Sequence, residues 1–214
     1  MSESEQKRKE LIADRAAILG KWLWILFWLV VPATIAGVMK NEKIMNVSPG
    51  IYLCGQVINA ACSIAYGVIL LKLSAVDDRY HTAGICSLIT AGVSILIVLL
   101  FGTSEAPSWS LIITLPAAGI GLIREYNEYS SHSSVLVGAD DELSEKWTTL
   151  WKWFIRCTLG MIGSILLALF SPILGTVLLI GAAIGIVIVS ITKLVYLYRT
   201  AKVFREFSTE IIGL

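Results

Sequence analysis

Six long apolar runs, broken only by short charged segments, restrict what this chain can fold into. They cover residues 22–39, 51–71, 82–101, 109–123, 151–170 and 173–192. About 20 apolar residues cross the roughly 30 Å of hydrocarbon in a bilayer. Backbone groups in lipid have no water to bond, so each run must be a helix or a strand of a closed barrel. Barrel strands alternate over about ten residues, whereas these runs are continuous and longer. The chain is 56% hydrophobic and only 15% charged, against about 25% charged in soluble domains. The expected fold is all-α: a membrane bundle of six transmembrane helices in three hairpins.

Orientation follows from the basic residues, which favour the cytoplasmic side. With the N-terminus inside, fifteen of the 17 Lys and Arg lie inside, leaving Lys40 and Lys43 outside. Both termini are then cytoplasmic. The expected organisation is an N-terminal amphipathic helix (1–20), transmembrane helices one to four (21–123), a cytoplasmic helical extension and turn (124–148), transmembrane helices five and six (149–195), and a C-terminal cytoplasmic helix (196–214). Outer loops are short, at 40–50, 102–108 and the Ser171-Pro172 turn. Gly138 followed by Asp140-Asp141 supplies a helix stop and a fresh N-cap.

Span two has the most polar interior. Gly55, Asn59, Ser63 and Gly67 recur every four residues, with Gln56 beside them. Small residues and amides at this spacing make a helix-packing seam; the other reading is the lining of a solute path. Gly160, Ser164 and Ala168 mark a second seam, and Gly181 with Gly185 a third. Lys72, Arg124, Arg156 and Lys193 fall near the inner boundary, where they snorkel or contact anionic headgroups. Trp22, Trp24, Trp28, Trp147, Trp151 and Trp153 form an expected aromatic belt.

No Asp, Glu or His falls in the middle of a run. An ionisable residue there would be the default mark of ion or proton coupling. Phosphate-loop, zinc-protease, nucleophile-elbow and dinucleotide motifs are lacking, and the four cysteines have no metal-ligand spacing. No catalytic residue, metal site or cofactor is therefore expected, and a net charge of +1 gives no field for nucleic acid. His132 reads as a solvated or hydrogen-bonded histidine. Tyr126, Tyr129, Tyr198 and Phe204 lie on the cytoplasmic segments and make a candidate interaction surface.

Two stretches carry a resemblance. One is Glu125-Tyr126-Asn127-Glu128-Tyr129 with Leu143-Ser144-Glu145-Lys146-Trp147 and Leu150-Trp151-Lys152-Trp153; the other is Lys193-Leu194-Val195-Tyr196-Leu197-Tyr198-Arg199-Thr200-Ala201-Lys202. The chain here resembles small uncharacterised polytopic membrane proteins of Gram-positive bacteria, which implies a bacterial plasma membrane. The functional expectation is a non-enzymatic multi-pass protein that touches membrane lipids and self-assembles or binds a partner through its cytoplasmic helices, with a channel as one form. The alternatives are a small-solute transporter and, behind it, a lipid-modifying enzyme.

Overall fold

A computed structural model describes residues 3–101 and 111–212, with side-chain surroundings for 15–41, 44–100 and 112–209. The described residues are helical apart from short turns. In chain order they are α1 (Glu3–Met39), α2 (Glu42–Val47), α3 (Pro49–Leu73), α4 (Asp78–Phe101), α5 (Leu111–Leu136), α6 (Asp141–Ala168) and α7 (Pro172–Ile212). The expected outer loop 102–108 and the start of the fourth run at Trp109 lie outside the described residues.

Among the described residues five helices are long and apolar enough to cross a membrane: α1, α3, α4, α6 and α7. Their flanks explain why the chain needs lipid. Ile35, Leu99, Ile165, Phe170, Ile173 and Val187 all face outward with more than half of their surface exposed, an apolar exterior that water would not tolerate. The chain is a helical protein suited to a membrane. The fourth apolar run belongs to α5, of which residues 111–123 are apolar and the rest polar.

Sequence punctuation sets the boundaries. Pro49 and Pro172 open α3 and α7, where a missing N–H costs nothing. Gly138 sits at φ +81°, a left-handed conformation that a Cβ would oppose. Asp140 then caps α6, its side chain accepting from Leu143 N at 2.9 Å.

The six long helices form a closed ring. Each packs against its neighbour in sequence, and α1 closes onto α7. Glycines permit the closest approaches. A Cβ on Gly67 or Gly84 would meet the other's carbonyl oxygen across the α3–α4 crossing. A Cβ on Gly185 would strike Cys157 Sγ, and one on Gly175 would strike the backbone of Ala168.

Packing is uneven along the ring axis. The buried core gathers at the end that carries both described chain ends: Leu19, Leu23, Leu73, Tyr80, Leu136, Trp147, Ala201 and Phe204 among others. α1 and α7 have 37 and 41 residues, or about 55 and 60 Å at 1.5 Å per residue, well beyond about 30 Å of hydrocarbon. Ala16 and Leu19 of α1 and Ala201 and Phe204 of α7 pack with Leu136 of α5 and Leu143 of α6 into one layer at that end. Only water drives apolar burial, which accounts for the core being here.

Candidate functional site

All six long helices line one central cavity of about 340 Å³: Ala33 from α1, Ser63 from α3, Ser87 from α4, Arg124 from α5, Phe154 from α6 and Lys193 from α7. Its floor is a buried ionic cluster at the junction with the packed layer. Lys193 Nζ lies 2.7 Å from Glu125 Oε2 and 2.9 Å from Glu128 Oε1, and 4.9 Å over the Tyr129 ring. Arg124 pairs with Glu125, and the Tyr66 hydroxyl donates to Glu128. Helix geometry explains the convergence. Glu125, Glu128 and His132 follow one another on one face of α5 at spacings of three and four, and this face turns inward.

Glu128 and His132 are fully buried, on the part of α5 beyond its apolar run. The Tyr80 hydroxyl meets His132 Nδ1 at 2.8 Å. His132 Nε2 faces Glu128 Oε1 at 3.7 Å, too far for a hydrogen bond. The imidazole lies against Trp147, ring centroids 4.5 Å apart, and Trp147 Nε1 donates to Thr200 at 3.0 Å. Burial pushes the His132 pKa down, so the ring is neutral near pH 7. Burial opposes ionisation of Glu128, but the Lys193 ammonium, with the Arg124 guanidinium behind it, outweighs burial and holds its carboxyl below the usual range. Arg124 Nε, Glu128 Oε2 and His132 Nε2 are buried without a hydrogen-bond partner in the protein.

The residues singled out by sequence separate in space. Arg124 and Lys193 meet inside the ring, ion-paired to Glu125 and, for Lys193, Glu128. Lys72 is exposed, and Arg156 is exposed over Trp153. The four do not share one headgroup site, because two of these cations are turned into the protein by carboxylates of α5.

The polar stripe of α3 likewise divides. Gly55 packs on Met39 of α1, Gly67 on Leu88 of α4, and only Ser63 lines the cavity. Gln56 bonds Tyr52 at 2.8 Å, and half-buried Asn59 offers its carbonyl to Ser63. Along the candidate interaction surface, Tyr126 and Tyr198 are exposed, but Tyr129 and Phe204 are buried in the core. Trp147 is also core rather than belt, since its indole N–H finds Thr200. His132 is hydrogen-bonded and not solvated. Glu125 and Glu128 were legible as possible partners of the boundary cations, but Tyr66 and Tyr80 were passed over. The Glu128–His132 spacing of four was the available signal, but it does not say which way the face turns.

Among the described residues no group of His, Cys, Asp and Glu could hold a metal ion. The chain matches no protein-family model, no curated protein and no solved structure among those it was compared with. The site therefore rests on its own geometry: a hollow between six helices, an ionic floor balanced in charge, and polar atoms left without partners.

Proposed function

We propose that the chain is a six-span protein of the bacterial plasma membrane, with both termini cytoplasmic, whose central cavity takes up a small polar solute for passage across the membrane. The cavity carries this reading. Every long helix contributes to it, so relative movement of any two alters its access. Its volume falls within the range of small-molecule sites. Three ionisable groups, Arg124, Glu125 and Lys193, line its floor at the boundary of the spans and give a polar solute charged partners. Two further observations favour this over assembly through the cytoplasmic helices: Tyr129 and Phe204 are spent inside the chain, and the hollow lies within one copy.

Filling the cavity tests the proposal. Purified protein exposed to a fractionated small-molecule extract should retain a solute detectable by mass spectrometry. Ala33→Phe, on the cavity wall, should lose that solute while keeping its melting temperature within a few degrees. Equal retention by the filled variant, or no retained solute in either, would exclude the cavity as the binding site.

A further inference from the structure

We infer that the solute is a small zwitterion with an apolar body, of the kind an aliphatic amino acid presents. This rests on the cavity being the binding site. Charge balance is the first reason. Arg124 and Lys193 are matched by Glu125 and Glu128, so the floor is neutral overall. A solute with net charge would add a buried charge that nothing compensates; a zwitterion adds none.

The polarity of the unused groups is the second reason. Arg124 lines the cavity, and its Nε is a charged donor without an acceptor. The cavity's serines are the reverse. Ser63 donates its proton to Asn59 O at 2.8 Å, Ser190 to Ile186 O at 2.8 Å, and Ser87 to Ser63 O at 3.5 Å. Each hydroxyl oxygen keeps lone pairs and no free proton, so these sites accept from an ammonium. The rest of the wall is hydrocarbon, with Leu29, Val30 and Leu194. One charged donor, several acceptors and an apolar flank match the two ends and the body of such a solute.

Leucine, leucinamide and N-acetylleucine share that body and differ in net charge, so they serve as probes of the full-length protein in detergent. Two readouts apply: the melting temperature, and the rate at which a small methanethiosulfonate reagent modifies Cys62. Cys62 lines the cavity; Cys54, Cys86 and Cys157 are replaced by Ala for this measurement. Leucine should raise the melting temperature and shield Cys62. The two charged analogues should need at least about tenfold more. Arg124→Lys keeps the charge but moves the donor, and should weaken leucine about tenfold, the value of one charge-assisted hydrogen bond. Ser190→Ala is the milder companion and should weaken leucine without weakening N-acetylleucine, which lacks the ammonium. Shielding by a charged analogue as strong as by leucine overturns the zwitterion and leaves the cavity standing. So does a freely reactive Cys62 that none of the three shields. A Cys62 that reacts only after unfolding overturns both, because the cavity is then closed to solutes.

Discussion

Lys193 stands between two carboxylates, with one fifth of its side chain exposed. Removing one partner of a buried ion pair costs about 3–5 kcal/mol, because the other charge is left unpaired. Lys193→Met should lose about 3 kcal/mol in denaturant unfolding, and adding Glu128→Gln should restore part of it. A double variant no better than the single would show that Glu128 and Lys193 are uncoupled. His132 sets a pH dependence. Its folded pKa is depressed by burial, so below the free value of about 6.5 the unfolded chain binds a proton that the folded chain does not. Stability should fall as pH drops from about 7 to about 5. The depressed carboxyl of Glu128 adds a loss of the same sign at lower pH. His132→Gln should flatten the upper part of this slope in a thermal-melt series and leave the lower part in place.

The helices owe their contacts to where small residues fall. A Cβ at Gly175 would sit 2.7 Å from the Ala168 backbone, whereas one at Gly92 would meet nothing within 4 Å. Gly175→Ala should destabilise by about 1–3 kcal/mol through overpacking. Gly92→Ala should be neutral or stabilise by up to about 1 kcal/mol, since Ala is the better helix former. The two melting temperatures, measured side by side, check the tight packing of the α6–α7 turn: equal values for both variants would contradict it. Some helix limits were legible because their causes are local: Gly138 with Asp140, and Pro172, each act within a few residues, whereas α2 and the start of α3 at Pro49 fell within the expected outer loop 40–50. The inward turn of Tyr129 was not legible. Tyr126, Tyr129 and His132 at spacings of three lie along one side of α5, but the row drifts around the helix, which repeats every 3.6 residues, and Tyr126 ends outside against Trp151, with ring centroids 5.4 Å apart.

At the scale of the molecule, a ring of six helices leaves a hollow that a two-layer packing would have filled. The packed layer at one end and the ionic floor above it make the two ends unequal. In the proposed orientation, Asn46→Cys should label from outside intact cells with an impermeant maleimide, and Glu142→Cys only after permeabilisation. Both side chains are exposed, so access reports sidedness and not burial. Labelling of position 142 in intact cells would invert the orientation or change the number of spans.

Apolar length and charge spacing determine by themselves that this chain is helical and suited to lipid. Those properties depend on neighbours within a few residues and on the solvent. Which faces meet depends on residues far apart in the chain. Lys193 reaches Glu125 across 68 positions, and Tyr66 reaches Glu128 across 62. In water an apolar stripe marks the inward face of a helix. In lipid both faces are apolar, so the pattern that reveals a span conceals its rotation. Only closure of the ring turned Arg124, Glu125, Glu128 and Lys193 from boundary charges into the floor of a cavity.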